Sequence, residues 1–163
     1  MIKLLQALKD LGIDAVIAGG AVRDQIRGVE PTDIDVWCLG DTSDVLPAML
    51  MSLLDDAVFS DCTEYDEVPI DLLIKGTLTD ALGVERNVDI IVPTHKYKSP
   101  IDLVSSFDYN INQGFVGIDC GIYKPDLTRL YGVNTTRVTE ERTVRFQAMV
   151  DMYNQQKSFE LGD

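Results

Sequence analysis

The chain has 163 residues and a formal net charge of −13 at neutral pH, from 27 Asp and Glu against 14 Lys and Arg. A hydrophobic fraction of 45%, with 6 Tyr, 5 Phe and 1 Trp, supplies a core and excludes disorder throughout, and the length suits a single domain over residues 1–163. No apolar run is long enough to span a bilayer, and Lys3, Gln6, Lys9 and Asp10 interrupt the N-terminal segment, so a cytoplasmic protein with no membrane partner is the expectation.

Leu4, Leu5, Leu8 and Leu11 fall at helical spacing and Gly12 follows as a stop, which predicts an amphipathic first helix packed on a sheet. Ile13 to Ala18 is a short apolar run bounded by Gly12 and Gly19-Gly20. Ala21 to Arg27 reads as a short helix ending at Gly28, so the unit is strand, Gly-Gly turn, helix. After Glu30-Pro31-Thr32, the stretch Asp33 to Leu39 alternates polar and apolar as a strand does, and puts Asp33, Asp35 and Trp37 on one face. Ser43 is predicted to cap a helix through about Leu54, with Pro47 near its first turn.

Further strands are predicted at Ala57 to Cys62, Pro69 to Lys75 and Val88 to Val92, the last two as antiparallel partners across the loop Gly76 to Asn87. Ser99-Pro100-Ile101-Asp102 combines a cap residue, a proline at the first helical position and an acid in the first turn, which predicts a short helix to about Ser106. A helical turn and a strand near Phe115 to Ile118 follow. From Thr139 a helical extension to about residue 157 places Phe146, Met149, Val150 and Tyr153 on one face. The class is α+β: a mixed, twisted sheet flanked by helices. Cys38, Cys62 and Cys120 are odd in number and widely spaced, which fits reduced, partly buried thiols.

Carboxylates two apart on a strand project together, so Asp33 and Asp35 can converge on hard divalent cations such as Mg²⁺. The Gly19-Gly20 turn, a short way upstream, offers uncluttered backbone N–H groups to anionic phosphate. These parts suit a metal-bound triphosphate. Only the segment 121–157 is locally positive, so Lys124, Arg129, Arg137, Arg142 and Arg145 are the candidates to meet a nucleic acid; a solvated mixed-charge helix is their other reading.

GGAVRDQIRGVEPTDIDV, Gly19 to Val36, resembles the first motif of the DNA polymerase β-like nucleotidyltransferase superfamily, and within it the head domain of class II CCA-adding enzymes and bacterial poly(A) polymerases. Asp108-Tyr109-Asn110-Ile111-Asn112 resembles that group's D-[FL]-T-I-N segment, with Asn110 where Thr is usual. ERTVRF, Glu141 to Phe146, is more loosely similar to the helix that follows the head. The resemblance implies a polymerase β-like nucleotidyltransferase fold and a two-metal transfer of a nucleoside monophosphate from an NTP to a hydroxyl, using two Mg²⁺ ions or Mn²⁺ in their place.

The implied metal-holding and catalytic residues are Asp33, Asp35 and a third acid, Asp89, with Asp71 as its competitor. The implied nucleotide-binding residues are Gly19, Gly20, Arg23, Asp24, Asp108 and Asn112, against a surface ion pair for Arg23 and Asp24 and a turn capped by Asx side chains for Asp108 and Asn112. The chain departs from the family at Ser105-Ser106-Phe107, where two arginines usually precede the second motif, and it has no room for the parts that choose between CTP and ATP and grip tRNA. The expected activity is therefore a minimal nucleotidyltransferase acting on RNA, protein or a small molecule. The alternative is a catalytically idle relative that binds nucleotide, tRNA or a protein partner as an inhibitor or antitoxin does.

Overall fold

Leu4, Leu5 and Leu8 lie buried on the inner face of α1 (Ile2–Asp10), and Gly12, at φ 84°, turns the chain from that helix into β1 (Asp14–Ala18). The structure is a computed structural model that describes residues 1–66 and 68–160; residues 161–163 of the expected domain lie outside the described residues. After the Gly-Gly turn come α2 (Gly20–Ile26) and β2 (Asp33–Leu39), as the alternation predicts.

The helix expected from Ser43 is shorter and later: α3 spans Pro47–Met51. Proline disfavours helical backbone in the residue before it, and Leu46 is extended at φ −84°, ψ 142°, so the helix starts at Pro47. The Ser43 backbone N–H instead closes a turn onto Asp41.

Strands β3 (Asp55–Ser60), β5 (Val68–Thr79) and β6 (Glu85–Pro93) follow, with β5 and β6 antiparallel as expected. Much of the stretch Gly76 to Asn87, read as loop from sequence, is strand: pairing runs out to Thr79 opposite Glu85. Two short strands carry no periodicity signal of their own, β4 (Glu64–Tyr65) and β8 (Gly121–Tyr123). The Ser99-capped α4 (Pro100–Val104), 3-10 turns at Asn110–Asn112 and Thr135–Arg137, β7 (Phe115–Gly117) and α5 (Glu140–Glu160) complete the elements.

The sheet runs in the order β3-β5-β6-β2-β1-β7-β8, with β4 paired to β5. β2 and β6 pair parallel while the other ladders are antiparallel, so the sheet of eight strands is mixed. Successive strand residues feed opposite faces. Ile34, Val36 and Cys38 join one core with α1, α2 and α3; Trp37 and Leu39 join a second with Leu103, Val104 and Phe107. A third cluster, Tyr109, Ile111, Leu127, Phe146 and Val150, docks α5 on the 3-10 turn. Cys38 is buried, whereas Cys62 and Cys120 are exposed rather than partly buried, and all three are free thiols.

Candidate active site

Along one face of β2 the side chains change from Asp33 and Asp35 to Trp37 and Leu39. The latter pair lies under Leu103, Val104 and Phe107, which leaves the two acids at the uncovered end. The parallel register sets Asp33 opposite Asn87 and Asp35 opposite Asp89, and the antiparallel register of the next ladder sets Lys75 opposite Asp89. One row across three strands is therefore Asp35, Asp89, Lys75, with Lys75 Nζ 3.4 Å from Asp89 Oδ2.

The hydroxyl of Tyr65 reaches over this row. It lies 2.7 Å from Asp35 Oδ1 and 2.8 Å from Asp89 Oδ2, while its ring meets Trp37 edge-on with centroids 5.8 Å apart. A phenol has one proton and donates to one carboxylate at a time; the second contact is completed when a carboxyl is itself protonated and donates to the phenol oxygen. Asp35 is placed to hold that proton. Burial pushes its carboxyl up from 3.8 to about 7, the Tyr65 hydrogen bond works against that rise, and the charges of Asp89, Asp66 and Asp33 add to it. Burial and then the facing Asp35 carboxylate likewise hold the Tyr65 phenol above its ordinary value.

Two hard carboxylate oxygens that already meet at one point fit a small divalent cation. The Tyr65 hydroxyl is at that point, and among the described residues no group of three or more His, Cys, Asp or Glu is gathered closely enough to hold a metal ion. The fit is to the Asp35 and Asp89 pair, with Asp33 on the same face and lining the same cleft.

That cleft encloses about 670 Å³. Gly19 lines it at φ 95°, a backbone conformation that favours glycine, and a Cβ on Gly20 would come within 3.2 Å of Arg23 Nη2. Arg23 is buried, not the surface ion pair of its other reading: Nε donates to Asp24 Oδ1 at 3.0 Å and Nη1 to Asn112 Oδ1 at 2.6 Å. Asn112 Nδ2 donates in turn to Asp108 Oδ1 at 3.0 Å, and Arg142 Nη2 stands 2.5 Å from Asp108 Oδ2. Asp108 and Asn112 are thus buried members of a chain of charge and hydrogen bonds rather than caps of an exposed turn.

The guanidinium carbons of Arg23, Arg142 and Arg145 lie 5.5, 5.5 and 5.3 Å from the Phe146 ring centroid. Arg137 lines the cleft as well, and its Nη1 donates to the Ser106 carbonyl at 2.6 Å. The segment after residue 136 thereby brings Arg137, Arg142 and Arg145 to the cleft.

The structure brings Asp33, Asp35, Asp89, Gly19, Gly20, Arg23, Asp24, Asp108 and Asn112 to one cleft. It does not bring Asp71 there: that carboxylate accepts from Thr94 and faces Lys96. Of the five basic candidates, Arg137, Arg142 and Arg145 line the cleft, whereas Lys124 and Arg129 do not. Sequence reasoning missed Tyr65, which sits on a strand of two residues, and Lys75, whose meeting with Asp89 depends on register.

Solved structures share this architecture. The chain matches the Thermotoga maritima CCA-adding enzyme complexed with tRNA at TM-score 0.60 and 16% identity, over 89% of this chain and 36% of that one. The fold is one that this chain shares with part of that enzyme. A CCA-adding enzyme in an apo form shares the fold at TM-score 0.60 and 14% identity, over 96% of this chain and 42% of that one. The Bacillus stearothermophilus CCA-adding enzyme in complex with CTP shares it at TM-score 0.53 and 18% identity, over 91% and 35%. The chain therefore spans less than half the length of each, and at these identities the fold is what they have in common. No family model and no curated protein matches the sequence. Among the described residues, no helix is long and apolar enough to cross a membrane.

Proposed function

We propose that the chain is a metal-dependent nucleotidyltransferase that moves a nucleoside monophosphate from an NTP to a hydroxyl acceptor with release of pyrophosphate. The supporting observation is the meeting of Asp35 and Asp89 at one point in a cleft shared with the Gly19-Gly20 turn and several arginines. Asp35 and Asp89, with Asp33 joining them from the same face of β2, would hold Mg²⁺ or Mn²⁺, and bound cations supply charge that stabilises the leaving pyrophosphate and acidifies the attacking hydroxyl.

The remaining work falls to the chain. Asp89 Oδ2 is within hydrogen-bond reach of a hydroxyl, which is the geometry for accepting its proton. The Gly19-Gly20 turn leaves room for phosphate oxygens, and Arg23, fixed by Asp24 and Asn112, braces the turn from behind. Asp108 and Asn112 are assigned to the nucleotide's sugar. Arg137, Arg142 and Arg145 are assigned to the triphosphate or the acceptor's phosphates, with Lys124 and Arg129 as outlying contacts for an RNA or tRNA acceptor. The tRNA and CTP complexes of the similar structures agree with NTP and RNA as partners.

The test is incubation with each labelled NTP, Mg²⁺ and mixed RNA and protein acceptors. Transfer by the wild type that disappears in Asp33→Ala supports the enzyme. A second reading, an idle relative that binds nucleotide, tRNA or a protein partner, is favoured by the Tyr65 hydroxyl standing between Asp35 and Asp89. Partner binding retained in Asp33→Ala, with no transfer by the wild type to any acceptor, selects it.

A further inference from the structure

Tyr65 is the side chain closest to the proposed reacting groups that the transfer to an external acceptor leaves without a task. Among the described residues, no other side-chain hydroxyl is hydrogen-bonded to Asp35 or Asp89, and it touches both, at 2.7 and 2.8 Å. An acceptor hydroxyl has to lie within hydrogen-bond reach of the carboxylate that takes its proton and in the same cleft as the triphosphate. Tyr65 meets both conditions, since it lines the cleft together with Gly19 and Gly20.

Its position is fixed by the backbone. Glu64 pairs with Pro69 and Tyr65 with Val68, so the chain turns back sharply at Asp66, where φ is 47°. The ring is clamped edge-on by Trp37, itself 2% exposed. A hydroxyl held in this way has already lost the freedom that an external acceptor would still have to give up on binding.

We propose that Tyr65 is itself an acceptor, and that the chain nucleotidylylates its own Tyr65 from an NTP. The proposal rests on the nucleotidyltransferase reading. In the step, the phenol proton passes to the Asp89 carboxylate and the phenol oxygen forms a bond to the α-phosphorus. The bond between that phosphorus and the oxygen bridging to the β-phosphate breaks, and pyrophosphate leaves with its electron pair. The product is a tyrosine-linked nucleoside monophosphate, a phosphodiester lodged beside Asp35 and Asp89, so self-transfer is limited to one per chain.

The experiment incubates wild type, Tyr65→Phe and Asp33→Ala with each of the four ribonucleoside triphosphates in Mg²⁺ or Mn²⁺, followed by intact-mass measurement and peptide mapping. The expected result is a gain of one nucleoside monophosphate per wild-type chain, on the peptide that contains Tyr65, and no gain in either variant. The initial rate per chain should not change with protein concentration. Trp37 is the sole tryptophan, so its emission gives an independent readout: it shifts as the adduct forms in the wild type and not in Tyr65→Phe.

A wild type with no adduct on Tyr65 overturns the proposal, and a rate per chain that rises with protein concentration overturns transfer within one chain. Calorimetry with the same nucleotides separates the two levels. Binding without an adduct removes the acceptor role alone and leaves Tyr65 as a plug. No binding of any nucleotide removes the nucleotidyltransferase reading with it.

Discussion

Asp35 and Asp89 face each other across the parallel pairing of β2 with β6, and both carboxylates reach the same Tyr65 hydroxyl. The arrangement makes stability depend on pH. Asp35 holds its proton up to about pH 7 when folded and to 3.8 ordinarily, mainly because it is buried. Between those values the folded state binds a proton that the unfolded state has lost, so the contribution of this group to stability falls as pH rises. Below that window both states are protonated, and above it the full penalty is present. Asp35→Asn removes the slope. Its Tm should exceed that of the wild type at pH 8 and approach it near pH 4; melting curves that stay parallel across the range would contradict the burial argument.

Divalent cations should relieve the cost of this buried charge. Mg²⁺ is expected to raise the wild-type Tm at pH 8 beyond the effect of NaCl at equal ionic strength, because a ligand that binds only the folded state stabilises it. Asp35→Asn and Asp89→Asn should lose most of that increment. An equal increment in wild type and variants would place the cation elsewhere.

Tyr65→Phe keeps the ring against Trp37 and removes the bridge. Without divalent cations the variant should be less stable by about 1.5 to 3 kcal/mol, the usual effect of losing a hydrogen bond to a carboxylate. The carboxylates of Asp35 and Asp89 are untouched by the substitution, so Mg²⁺ should still bind. Urea denaturation in a chelator and Mg²⁺ calorimetry measure the two effects; unchanged stability, or loss of Mg²⁺ binding, would contradict this reading of the bridge.

Arg23 is 6% exposed and shared between Asp24, Asn112 and the Phe146 ring. Arg23→Ala leaves the buried Asn112 oxygen without its donor and should destabilise by about 3 kcal/mol, the range for breaking a buried pair. Arg27, the outer partner of Asp24, carries less: Arg27→Ala is expected to remain within about 1 kcal/mol of the wild type in the same denaturation assay.

Much of the site could be read from the chain because its signals are local. The alternation in Asp33 to Leu39 fixes which way Asp33 and Asp35 point, and the Gly-Gly turn before α2 needs no tertiary information. What the sequence left open was non-local or too short to show a period. The choice of Asp89 over Asp71 as neighbour to Asp35 follows from a parallel register between strands about 50 residues apart in sequence, a pairing that no local pattern encodes. Tyr65 sits on a two-residue strand, below the length at which alternation can be seen. The helix expected from Ser43 starts only at Pro47 because the restriction that a proline imposes on the residue before it, Leu46, outweighs a cap residue upstream.

The most direct test of the account is calorimetric titration of the four NTPs into wild type and Asp35→Ala, each with and without Mg²⁺. It predicts saturable binding of at least one NTP to the wild type in Mg²⁺, greatly weakened in a chelator and in Asp35→Ala. Absence of binding for all four nucleotides in Mg²⁺, or equal binding by wild type and Asp35→Ala, would contradict it.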